Sequence, residues 1–205
     1  MDSGITVTGT GVASAPADVL RLSLGVGRDA EDVATAVAAV AERTDAVTAA
    51  LRAQGVAPAD IQTSTVNIYP QYRETMNQVA AYRASHSLTV STTDLSGFGR
   101  LLNAAVGAAG NDLTVDHLGF DVSDKKALLD KARELAFAQA REKAAQLAEL
   151  AGQSLGSIAA VEETYGHSPG REMSAKADMG FAPEIAVSPG DQTIEASLTV
   201  RWSWA

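Results

Sequence analysis

Asp60-Ile61-Gln62-Thr63-Ser64-Thr65-Val66-Asn67-Ile68-Tyr69-Pro70-Gln71-Tyr72 and, a little further on, Tyr82-Arg83-Ala84-Ser85-His86-Ser87-Leu88-Thr89-Val90 decide how this chain folds. Val66 and Ile68 alternate with Thr65, Asn67 and Tyr69. On the second arm Tyr82, Ala84, His86, Leu88 and Val90 share one face, and Arg83, Ser85, Ser87 and Thr89 share the other. A period of two marks a strand with one buried face. The stretch therefore reads as a β-hairpin, with a tip from Gln71 to Ala81 that carries Met76 and Val79.

Towards the N-terminus, Ile5 and Val7 alternate with Thr6, Thr8 and Thr10, and Pro16 ends that strand. Leu20, Leu22, Leu24 and Val26 form a second strand, antiparallel to the first or continuing it. A helix is predicted over about 30–54, capped by Asp29 or Asp32 and striped by Val33, Val37, Val40, Thr44, Val47 and Leu51. Gly55 and Pro58 stop it.

Towards the C-terminus, Asp94 or Ser96 caps a helix over roughly 96–108 that carries Phe98, Leu101, Leu102 and Val106 and is ended by Gly107, Gly110 and Asn111. The strand after it changes phase between Val115 and Leu118, which puts a bulge at Asp116-His117. The longest helix covers about 125–151, with the stripe Leu128, Ala132, Leu135, Ala136, Ala140, Ala144, Leu147 and Ala151. So many alanines imply a close approach to a sheet or another helix. Ile158 and Ala160 start a strand that ends near Tyr165. Residues 166–191 have no period, and the chain closes on a strand with Ile194, Ala196, Leu198, Val200, Trp202 and Trp204 on one face.

The predicted order is ββαββαβαββ, with three helices. Hairpins interrupt the helices, so an α+β fold with an antiparallel or mixed sheet is expected, as a single domain over 1–205. Strand-helix-strand segments at 20–69 and 84–122 look alike and hint at a repeat.

With 25 acidic and 16 basic residues the formal charge is −9, and the basic residues are interleaved with acids. That weighs against nucleic acid or an anionic membrane as partner, because both draw affinity from clustered Lys and Arg. No apolar run is long enough for a transmembrane helix, so no membrane insertion is expected. The chain has no cysteine, hence no disulfide, thiolate nucleophile or cysteine-ligated metal. Met1-Asp2-Ser3-Gly4 runs straight into a strand without the pattern of a signal peptide. A cytoplasmic location is expected for the chain as given, or the periplasm, envelope or exterior if a leader was removed.

The candidate chemistry is sparse. Gly9-Thr10-Gly11 lacks the third glycine and the following helix of a dinucleotide fingerprint; glycines easing a twisted strand are the plainer reading. Ser123-Asp124-Lys125-Lys126 matches the S-x-x-K nucleophile pattern but has none of its companion motifs, and a Ser-Asp pair is what a helix start demands. His86, His117 and His167 have no metal-ligand spacing. No catalytic residue, metal or cofactor is expected. Met173, Met179, Phe181, Trp202 and Trp204 suit an interface, although both tryptophans also suit a core. Tyr69, Tyr72, Tyr82 and Arg83 flank the hairpin tip, where a small-molecule pocket is the alternative.

Several segments together resemble the SIMPL-domain family, a DUF541-like group found widely in bacteria. They are Ile5-Thr6-Val7-Thr8-Gly9, Leu22-Ser23-Leu24-Gly25-Val26, Asp60-Ile61-Gln62-Thr63-Ser64, Pro70-Gln71-Tyr72, Tyr82-Arg83-Ala84-Ser85, Phe120-Asp121-Val122-Ser123-Asp124 and Ser188-Pro189-Gly190. The resemblance implies an α+β domain that self-assembles into homo-oligomers, with bacterial relatives often exported and associated with oxidative-stress tolerance. It implies no catalytic residues. The expectation is a non-enzymatic, self-associating protein, with Tyr72, Met76, Tyr82, Arg83, Met173, Met179, Phe181, Trp202 and Trp204 as candidate interaction residues.

Overall fold

The computed structural model describes residues 4–72, 79–164 and 189–205. Its elements are β1 (Gly4–Pro16), β2 (Val19–Ala30), α1 (Val33–Ala53), β3 (Ile61–Tyr72), β4 (Val79–Thr92), α2 (Phe98–Ala109), β5 (Leu113–Asp121), α3 (Lys125–Leu150), β6 (Leu155–Thr164) and β7 (Asp191–Trp204). This is the ββαββαβαββ order expected from periodicity, and the fold is α+β. The strands make two sheets rather than one, and every pairing is antiparallel. β1 and β2 lie in different sheets, so neither expected relation between them holds.

Within the span expected to be one domain, contacts separate two compact units: residues 18–121, and residues 4–17, 122–164 and 189–205. In the first unit the sheet order is β3-β4-β2-β5. The helix α1 joins β2 to β3 across β4, and α2 joins β4 to β5 across β2. These are two interleaved split β-α-β units, the ferredoxin-like arrangement. They are the two similar segments noticed in the sequence.

Leu20, Leu22, Leu24 and Val26 of β2 are fully buried under the helices. The buried stripe of α1 is Ala36, Val40, Thr44, Val47 and Leu51. Val33 and Val37, expected on it, are partly exposed, since one lies in the first turn and the other at the edge of the stripe. Asp32 caps α1, accepting from the Thr35 amide (2.9 Å) and hydroxyl (2.7 Å). Gly55, at φ +95°, ends it in a conformation that other residues resist.

A 3-10 turn at Leu95–Gly97 precedes α2, and Asp94 caps that turn rather than the helix proper. α2 runs past Gly107 to Ala109, and Val106, expected in its stripe, is exposed while Ala105 and Ala109 are buried. The bulge in β5 stands where the phase slip placed it: Ser23 faces His117 and Leu24 faces Val115, which leaves Asp116 unpaired. The hairpin arms are longer than expected. Gln71 pairs with Ala81 and Tyr72 with Val79, so the arms take in residues expected in the tip.

In the second unit α3 packs on one face of the sheet β1-β7-β6. Its buried residues are Leu128, Ala132, Ala136, Ala140, Ala144 and Ala148, a strict four-residue row. Leu135 and Leu147, expected in the stripe, are exposed, and Ala151 lies past the helix end. The reason is distance. A Cβ at Gly9 would run into the Ala136 carbonyl and come within 2.6 Å of the Ala140 nitrogen, and one at Gly11 would run into the Ala132 carbonyl. Helix backbone lies directly on strand backbone there, and only methyl side chains fit between. Gly9 and Gly11 therefore admit a helix, which is a different service from easing a strand twist.

Candidate interaction surface

The first question is whether any described side chains assemble a reactive site. Asp124, and not Ser123, caps α3, accepting from the Ala127 amide at 2.8 Å. The Lys126 ammonium is bound by Asp130 one turn on, which holds its pKa above the ordinary lysine value. A lysine that activates serine needs the opposite shift, because it must lose its proton near neutrality. His86 shares a hydrogen bond with the Thr63 hydroxyl (2.9 Å). Among the described residues no three His, Cys, Asp or Glu side chains cluster as metal ligands.

The tip residues do not converge. Tyr69 lies opposite Arg83 on one face of the hairpin. Tyr82 lies opposite Pro70 on the other face, and Tyr72 sits beyond a register shift. Arg83 is already engaged by both carboxylate oxygens of Asp29, each at 3.2 Å. A cleft of about 240 Å³ lies elsewhere, between the end of α1 and the start of α2, lined by Gln54, Val56, Thr92, Asp94 and Arg100. Arg100 donates to Asp94 at 2.6 Å. The Ser96 hydroxyl first, and the Arg100 charge after it, hold the Asp94 carboxyl below the usual carboxylate range. The two charges in the cleft satisfy each other.

Trp202 is 3% exposed, with its ring 6.5 Å from that of Phe137, so it belongs to the core of its unit. Trp204 is half-buried at the end of the same strand face. Met76, Met173, Met179, Phe181 and His167 lie outside the described residues.

What stands out is the condition of the sheet edges, a feature that side-chain motifs do not reveal. An edge strand presents unpaired N–H and C=O groups to any passing strand, and proteins protect it with charge, bulges or cover. Among the described residues four strands are edges: β3 and β5 in one sheet, β1 and β6 in the other. β5 carries Asp116, His117 and Asp121, with a bulge at Asp116. β6 carries Glu162 and Glu163 and two register shifts. Arg133 of α3 holds Glu163 in a bidentate pair, at 2.7 and 2.9 Å. β1 has no charged residue, but α3 reaches round to its free backbone.

β3 has little of this protection. Ile61–Tyr72 contains no charged side chain in a chain where 20% of residues are charged. The helices cover β2 and β4 and leave β3 nearly bare: Val66 is 60% exposed, Ile68 47% and Tyr72 57%. Among the described residues no side chain from another element caps its outer backbone. Its irregularities are one register shift around Ser64, a second at its end before Tyr72, and Pro70.

Comparison with known proteins places this architecture. A family model described as "SIMPL: Protein of unknown function (DUF541)" matches residues 5–202. The 26 kDa periplasmic immunogenic protein of Brucella melitensis is 32% identical over 170 residues, spanning 78% of this chain and 66% of that protein. The chain thus matches just under two thirds of that relative's length. Uncharacterized protein YggE of Edwardsiella ictaluri is 28% identical over 196 residues, spanning 93% of this chain and 81% of its own. The crystal structure of AtUAH in complex with (S)-hydroxyglycine overlaps 62% of this chain and 34% of its own at 14% identity. Its TM-score is 0.28, too low for the overlap to bear on fold or function.

Proposed function

This chain belongs to the SIMPL family, whose biochemical role is unknown, and from its sheet edges we propose that it is a non-enzymatic protein that associates with copies of itself along β3. The observation that carries the reading is the contrast among the four edges: charge or side-chain cover guards three, while β3, though it has two register shifts and Pro70, carries no charge and leaves Val66 and Ile68 exposed. A second copy is the occupant that fits. The molecule carries a charge of −9, so most of its surface repels another copy, and β3 is a place where two copies can meet without opposing charges. Pairing would extend the sheet by main-chain hydrogen bonds and cover Val66 and Ile68 on one face. The name of the Brucella relatives supports the periplasm over the cytoplasm as the place of action. Any part in stress tolerance rests on the family resemblance.

A small-molecule site at the hairpin tip has less support, since Tyr69 and Arg83 lie on one face, Tyr82 on the other, and Asp29 holds the guanidinium. Multi-angle light scattering across micromolar concentrations tests the main reading. A mass that exceeds one chain and grows with concentration is expected; the mass of a single chain throughout would sink it.

A further inference from the structure

The β1 edge is uncharged like β3, yet two side chains of α3 lie along it. The Thr10 amide donates to Gln139 Oε1 at 2.8 Å. The Lys143 ammonium donates to the Thr8 carbonyl at 3.0 Å. Thr8 and Thr10 are two apart on β1, so their backbone groups point the same way, off the free side of the strand. In a strand ladder one residue of a parallel neighbour would give its N–H to the first of these groups and take the second with its C=O. Gln139 and Lys143 supply that acceptor and that donor. They lie four apart on α3, one turn of the same helix face. They reach the edge because Gly9, between the two threonines, lets the α3 backbone rest on the strand.

We propose that Gln139 and Lys143 cap the β1 edge in place of a neighbouring strand, and that without them β1 becomes a second site for strand addition by another copy. The cap stands independently of any role for β3. It predicts that Gln139→Ala with Lys143→Ala, both outside the buried row of α3, leaves the fold intact and frees the edge.

Two readouts test this. At a concentration low enough to keep the double variant monomeric, hydrogen exchange at the Thr10 amide should speed up about five- to tenfold, the equivalent of one hydrogen bond. Gln139→Glu with Lys143→Arg, which keeps an acceptor and a donor, should restore the protection. The mass measured by sedimentation should rise above that of the parent at equal concentration. The same rise should appear when Val66→Lys and Ile68→Lys disable β3, so a failure at β3 is told apart from a failure of the cap. Unchanged Thr10 exchange overturns the proposal, and so does faster exchange with no gain in mass in either background.

Discussion

Thr44 sits in the buried stripe of α1, and its hydroxyl has no hydrogen-bond partner among the described residues. A buried polar atom left unpaired costs more than an apolar group of the same shape. Thr44→Val keeps the shape and removes the hydroxyl, so it should stabilise the protein by about 1 kcal/mol in urea unfolding. Asp32 makes a different residue-level case. Its carboxyl is held below the usual carboxylate range, first by the Thr35 amide and then by the Thr35 hydroxyl. The folded state therefore favours the charged form. Its contribution is complete above about pH 4, the ordinary aspartate range, and fades as pH falls through the lower folded value. Asparagine can cap without charge. The stability gap between wild type and Asp32→Asn should thus be present at neutral pH and shrink as pH falls below the ordinary aspartate range, about pH 4. A gap independent of pH would mean that the charge contributes nothing. Asp32 was legible as one of two candidate caps; the unpaired hydroxyl was not, because pairing is a fact of three dimensions.

At the scale of elements, the α3–β1 contact depends on two glycines and a row of alanines. Gly9→Ala would push a methyl into the Ala136 carbonyl and force the helix outward, at a cost of about 2–3 kcal/mol read from unfolding midpoints. The alanine row is legible in the sequence, and so is the close approach that it implies. Its partner is not, because Gly9-Thr10-Gly11 carries no mark of which helix will cover it. The same limit explains Leu135 and Leu147. Both sit near the helical stripe but outside the strict four-residue row that α3 turns to the sheet. For β3 the prediction concerns association. Val66→Lys with Ile68→Lys places charge on an exposed edge and should reduce the sedimenting mass while leaving the melting temperature within about 1 °C, since neither side chain is buried. A large fall in melting temperature would mean that β3 packs within its own chain more than its exposure suggests.

For the whole molecule, a charge of −9 opposes the meeting of two copies, and salt screens that repulsion. Raising salt from about 0.05 to about 0.5 M should strengthen association along an uncharged strand. Weaker association at high salt would point instead to an interface built on ion pairs.

Alternation and helical stripes alone determined the ten elements and their order, because each period is a local property of the chain. The bulge at Asp116 and the stop at Gly55 were readable because they too are marked locally. Only the tertiary structure decided that there are two sheets, which strands became edges, and which of those edges are guarded. A strand carries the same period wherever it lies in a sheet, so nothing in Ile61–Tyr72 announces that one of its sides meets β4 and the other meets no strand among the described residues. The guarding of β1 depends on Gln139 and Lys143, far away in sequence, and becomes visible only when α3 is laid against it.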